Sequence, residues 1–251
     1  MKLFFREYGQ GQPLIILHGL FGNCDNWMTQ ARMLAPYFRV LTIDQRNHGL
    51  SPHSPEFNYQ LLTEDLHEFI LQHDLHEVLL LGHSMGGKTV MNYAVLHPER
   101  VAKMVVVDIM PRDYPPHHDH ILEGLRAIRL ETLQNRNDAE VMMSTFVPEP
   151  GVRQFLLKNL ARTPEGFVWR INLGSLERNI ERLGEGMQYD GKYEGPSLFL
   201  TGSRSDYYEA GDERLVFNYF PEATFDTLDT GHWVQAEKPQ EFVEKVLAFL
   251  R

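Results

Sequence analysis

Val78-Leu79-Leu80-Leu81-Gly82-His83-Ser84-Met85-Gly86-Gly87 is an unbroken apolar run that passes into a small-residue turn and then opens a helical pattern. An apolar run without polar alternation suits a strand buried on both faces. The turn that follows has the form G-x-S-x-G, set between a strand and a helix. In that setting the turn is so tight that side chains at the flanking positions would collide, and glycine at 82 and 86 removes them. The serine hydroxyl is then left exposed above the sheet, the arrangement called a nucleophile elbow. A plain turn of small residues would have the same composition, so the strand before and the helix after carry the reading.

Outward from this segment, similar apolar runs recur: Leu14–Leu17, Val40–Ile43, Met104–Val107, Leu198–Thr201 and Thr224–Leu228. Helical patterns alternate with them over Asn26–Pro36, Tyr59–Asp74, Met85–His97, Gly211–Phe220 and Pro239–Leu250. In the last, Phe242, Val243, Val246, Leu247, Phe249 and Leu250 form one apolar stripe. Strand–helix alternation predicts an α/β fold with a doubly wound, mostly parallel sheet, whose ligands bind at the C-terminal ends of the strands. From Arg112 to Glu194 no strand is expected. That region reads as helical pieces, Ile121–Leu133, Ala139–Phe146, Val152–Ala161 and Leu176–Leu183, punctuated by proline and glycine. The organisation predicted is a core of residues 1–111 and 195–251, with a helical insertion of residues 112–194 between two core strands.

Composition excludes several classes. The 251 residues carry 24 Lys+Arg against 34 Asp+Glu, a net charge of −10 that disfavours a nucleic-acid phosphate backbone as partner. One cysteine, Cys24, makes neither an internal disulfide nor a thiolate zinc site, and points to a reducing compartment. The start, Met1-Lys2-Leu3-Phe4-Phe5-Arg6-Glu7, is charged too early for a secretory signal, and no apolar run is long enough to span a bilayer. A soluble cytoplasmic protein without membrane or nucleic-acid partners is expected. No P-loop is present, and the first strand–helix turn lacks G-x-G-x-x-G, so a nucleotide is not expected. The oligomeric state is not legible.

Two further elements fit the elbow. His18-Gly19-Leu20-Phe21-Gly22 ends the first apolar strand, and a backbone N–H there, at Leu20, can pair with that of Met85 as an oxyanion hole. Gly231-His232-Trp233 follows Thr224–Leu228, and His232 can swing back over the sheet to Ser84. Among the remaining histidines, His48 reads as a brace of its own loop. The tract Pro115-Pro116-His117-His118-Asp119-His120 reads as a solvated entry to the insertion rather than a metal site, since no partner ligands are evident. Lys88 reads as a surface or loop-bracing charge, and Cys24 as no nucleophile beside Ser84.

Leu17-His18-Gly19, Asp44-Gln45-Arg46-Asn47-His48-Gly49-Leu50-Ser51, Gly82-His83-Ser84-Met85-Gly86-Gly87-Lys88, Asp108-Ile109-Met110-Pro111 and Gly231-His232-Trp233 together resemble the α/β-hydrolase superfamily, over nearly the whole chain. The more particular likeness is to bacterial esterases of the YbfF type. That resemblance implies a carboxylic-ester hydrolase with a helical cap, acting on small or short-chain acyl esters or thioesters, with no cofactor and no metal. It implies Ser84 as nucleophile and His232 as base. The acid of such enzymes commonly stands about three residues beyond the glycine closing the strand read here as Leu198–Thr201. That count lands on Ser205, with Asp206 one position further. Asp108, at the end of Met104–Val107, lies on the same rim and is the favoured acid, with Ser205 assisting the same histidine; Asp206 stays the alternative. A hydrolase-fold ligand receptor, with slow or no turnover, would share all these motifs.

Overall fold

The computed structural model describes residues 1–115 and 118–251. Its strands in chain order are β1 (Phe5–Tyr8), β2 (Pro13–Leu17), β3 (Arg39–Ile43), β4 (Val78–His83), β5 (Val101–Val107), β6 (Leu160–Thr163), β7 (Gly166–Trp169), β8 (Ser197–Gly202) and β9 (Ala223–Leu228). Seven form one sheet in the order β1-β3-β2-β4-β5-β8-β9, in which β1 pairs antiparallel with β3 and every other pair is parallel. This is the doubly wound α/β sheet expected. Edge strand β1 was not foreseen, because Arg6 and Glu7 interrupt its apolar character.

Successive strand residues feed opposite cores, as the two-residue side-chain period requires. Ile15, Leu17, Leu80, Met104 and Val106 pack with the helices Tyr59–Gln72 and Met85–Leu96 on one face. Leu14, Ile16, Leu79, Leu81, Val105 and Val107 pack with Trp27, the helix Met28–Leu34 and the C-terminal helix Pro239–Leu250 on the other. Burial on both faces is why these strands read as continuous apolar runs. The strand order reverses between β2 and β4, so the loops leaving their C-terminal ends part and open a crevice.

Between β5 and β8 the chain leaves the sheet. It forms the helices Asp119–Ala127, Arg136–Met143, Pro150–Leu157 and Leu173–Asn179, with short 3₁₀ turns at Leu130–Thr132 and Ile180–Gly184. The expectation of no strand here is corrected: β6 and β7 form an antiparallel hairpin. Its strands are four residues long and turn through Pro164-Glu165, where Gly166 takes φ +134°. The helix expected over Val152–Ala161 accordingly stops at Leu157, and Leu160 begins the hairpin. A third apolar cluster joins this segment to the core, with Leu122, Leu125, Met143, Leu156 and Leu176 meeting Phe21, Tyr59 and Met85.

Candidate active site

β4 delivers Ser84 at a backbone position that few side chains tolerate, with φ 52° and ψ −118°. Such a conformation costs on the order of 1–3 kcal/mol and persists only where the surroundings enforce it. Here Ser84 N–H donates to the Val107 carbonyl at 3.0 Å, and the Ser84 carbonyl accepts the Lys88 N–H at 3.0 Å. The flanking glycines are obligatory. A Cβ on Gly82 would lie 2.2 Å from the Gly86 carbonyl oxygen, and one on Gly86 would lie 2.4 Å from that of Leu17.

Asp108 follows β5, also at positive φ (51°), and its side chain is wholly buried. One oxygen accepts the Gly202 N–H at 2.9 Å; the other accepts His232 Nδ1–H at 2.7 Å and the Ser205 hydroxyl. Ser205 thus binds the carboxylate, not the imidazole it was expected to assist. Asp206 is exposed and makes no hydrogen bond to His232. The His232 ring has two aromatic neighbours: Tyr207 stacks on it with centroids 4.1 Å apart and planes at 19°, and the tilted His83 ring lies 4.6 Å away. His83 Nε2–H donates to the His232 carbonyl at 2.9 Å, and burial, followed by the nearby His232, holds the His83 imidazole well below its usual range. A neutral His83 therefore fixes the backbone of the His232 turn. Ser84 and His232 wall the same cavity. No hydrogen bond joins the Ser84 hydroxyl to the imidazole.

The loop after β2 is held from several sides. Burial pushes His18 down to about 4. The neutral ring donates from Nδ1 to the Gly19 carbonyl (2.8 Å) and accepts the Gln45 N–H at Nε2 (3.0 Å). His48, likewise pushed down to about 3 by burial and by His18, donates to the Arg46 carbonyl (2.8 Å) and accepts the Phe21 N–H (3.2 Å). It therefore braces the loop after β2 as well as its own. Asn159, from the segment between β5 and β8, donates to the Phe21 carbonyl at 2.6 Å. Among the described residues, the Leu20 and Met85 N–H groups have no protein acceptor. Asn159, His83 and Tyr207 were not picked out from the sequence. His83 sits inside the elbow motif, but nothing in the local sequence marks Asn159.

A cavity of about 350 Å³ opens onto Ser84 and His232, lined by Phe21, Trp27, Phe155 and Trp233 among others. His118 and His120 stand at its rim, with His120 exposed as expected of a solvated tract and His118 half-buried; His117 lies outside the described residues. No grouping of three or more potential metal ligands occurs among the described residues. A second chamber of about 40 Å³ meets Ser84 between Met85, Tyr59, Ile109 and Leu183. Of the two roles expected for Lys88, the loop-bracing one holds and the surface one does not: only 1% exposed, it donates to the Gly184 carbonyl at 3.0 Å and to that of Glu185. Burial lowers its pKa to about 7.

Comparison with known proteins agrees with this geometry. Residues 12–147 match the family model described as alpha/beta hydrolase fold. The sn-1-specific diacylglycerol lipase ABHD11 of Mus musculus is 38% identical, over 94% of this chain and 80% of its own. Esterase YbfF of Escherichia coli (strain K12) is 34% identical, over 100% of this chain and 99% of its own. A solved structure titled marine microorganism esterase is 41% identical with TM-score 0.96, covering 99% of each chain.

Proposed function

The chain belongs to the α/β-hydrolase family and is a carboxylic-ester hydrolase; from that premise we propose that Ser84, His232 and Asp108 are its catalytic triad. The observation that carries this reading is the buried Asp108 carboxylate bound to His232 Nδ1 at 2.7 Å, with His232 and Ser84 facing one cavity. With Nδ1–H committed to Asp108, Nε2 is the free base. Ser84 Oγ attacks the ester carbonyl carbon as its proton passes to Nε2. The oxyanion so formed is held by the Leu20 and Met85 N–H groups, whose lack of a protein acceptor suits that task. Collapse of the tetrahedral species breaks the bond to the alcohol oxygen, which takes the proton from His232. Water, deprotonated by the same nitrogen, then releases the acid and restores Ser84. No cofactor enters any step.

Residues 112–194 act in this reading as a cap over the site, and the substrates are small or short-chain acyl esters. No helix among the described residues is long and apolar enough to cross a membrane. The test is labelling with a fluorophosphonate alongside turnover of p-nitrophenyl acetate. Wild type takes up one label and turns over. Ser84→Ala folds, takes up none, and loses on the order of 10⁴–10⁶ in kcat. Turnover by the folded variant within tenfold of wild type would remove Ser84 from the mechanism. Labelling without turnover would favour a ligand receptor.

A further inference from the structure

We propose that the two chambers meeting at Ser84 divide the substrate unequally: the small one takes the acyl group and the large one the alcohol. This rests on the ester-hydrolase reading above and deepens it. The chemistry decides which side is which. The alcohol oxygen leaves with a proton from His232, so the alcohol must lie on the imidazole side, while the acyl carbon stays on Ser84. His232 walls the chamber of about 350 Å³ and is absent from the wall of the chamber of about 40 Å³.

Capacity then sets the substrate class. By the same measure the small chamber has only about a ninth of the large one's volume, which matches it to a short acyl group in the acetyl to butyryl range. Its wall of Tyr59, Leu183, Gly184 and Tyr114 is pinned. Tyr59 is fully buried and donates its hydroxyl to the Leu183 carbonyl at 2.8 Å. The Lys88 ammonium lies 5.5 Å from the Tyr59 ring centre and 4.9 Å from that of Tyr114 while holding the Gly184 carbonyl. Swelling on this side to admit a long chain would break these contacts. The large chamber offers broad apolar wall, including Phe155 against Trp233 with ring centres 5.9 Å apart. The substrate class is thus a short acyl group on a bulky apolar alcohol.

The experiment compares kcat/KM along two series: ethyl esters from acetate to octanoate, and acetates of primary alkanols from methyl to octyl and cyclohexylmethyl. Primary alkanols keep the leaving-group basicity nearly constant. Wild type should fall at least tenfold between butanoate and hexanoate, and rise at least tenfold from methyl to octyl or cyclohexylmethyl acetate. Leu183→Ala should move the acyl ceiling to hexanoate or beyond without reordering the alcohols. Phe155→Ala should reorder the alcohols and leave the acyl ceiling in place. Steady gain with acyl length, equal response to both series, or an unmoved ceiling in folded Leu183→Ala overturns the division. Absence of turnover on every ester overturns the ester-hydrolase reading itself, a different result.

Discussion

Asp108 and His232 stand 124 residues apart in the chain and meet through a 2.7 Å hydrogen bond whose carboxylate is 0% exposed. The same carboxylate receives the Gly202 N–H and the Ser205 hydroxyl, so both of its oxygens are occupied. Replacing it by an amide of the same shape puts an N–H or an uncharged oxygen against Nδ1, and the histidine loses its tautomer and its counter-charge. Asp108→Asn should therefore lose about 10⁴ in kcat. Ser205→Ala removes one of three donors, an interaction worth about 1.5–3 kcal/mol to a charged acceptor, and should lose no more than about 100-fold. Asp206→Asn should stay within about threefold. Kinetics of the three purified, folded variants check the ranking; a crippled Asp206→Asn beside a near-normal Asp108→Asn would move the acid.

Much of this was legible because burial writes itself into composition. Strands covered on both faces, such as Leu79–Leu81 and Val105–Val107, must be apolar at every position, and their order placed the elbow. The elbow glycines are legible too, since a Cβ at 82 or 86 meets backbone that cannot move. The hairpin Leu160–Trp169 was not, because four-residue, half-exposed strands are too short for periodicity to show, and the apolar run Phe167–Trp169 is only three residues long. For Lys88 the sequence left surface charge and loop brace open for a related reason: lysine is seldom fully buried, and the carbonyls it braces come from residues 184 and 185, nearly a hundred positions away. The 2.7 Å approach of Asp108 to His232, which favours it over Asp206 in the proposed triad, is a distance that sequence does not contain.

Lys88 carries a sign that solution measurements can read. Burial depresses its folded pKa to about 7, against about 10.5 when unfolded. Between those values the unfolded chain binds more protons than the native one, so this group's contribution to stability rises with pH across that window. Below about pH 7 the buried ammonium imposes its full cost. Denaturant titrations at pH 6.5 and pH 9.5 should show wild type gaining stability relative to Lys88→Met as pH rises. A constant difference between the two proteins would place the charge in water instead.

Cys24 should be inert in the native protein. Burial and the Asp44 carboxylate push its thiol up to about 12, so almost no thiolate exists near neutral pH, and the side chain is 2% exposed. Iodoacetamide at pH 7.5 should leave both mass and ester turnover unchanged, and should add one carbamidomethyl group after denaturation. Native labelling with parallel loss of activity would contradict this.

Asn159 ties the segment between β5 and β8 to the loop that would hold the oxyanion. Its Nδ2 donates to the Phe21 carbonyl at 2.6 Å, while His48 receives the Phe21 N–H from the core side. Phe21 sits at φ 60°, strained for a non-glycine residue, so its orientation depends on being held from both directions. The Leu20 N–H lies one peptide before the Phe21 N–H and two before the Phe21 carbonyl. Asn159→Ala frees the Phe21 carbonyl and lets the two peptides before it tilt, weakening a donor, the Leu20 N–H, that acts only when the oxyanion forms. A neutral hydrogen bond is worth about 1 kcal/mol, and a misaimed donor adds to that. The expected result is a fall of about 10–50-fold in kcat with KM within about threefold. The fluorophosphonate labelling rate should fall in step, because the phosphonyl oxygen uses the same donors. A purely structural role would instead lower the thermal midpoint and leave kcat per folded molecule intact, and that outcome would detach Asn159 from the chemistry.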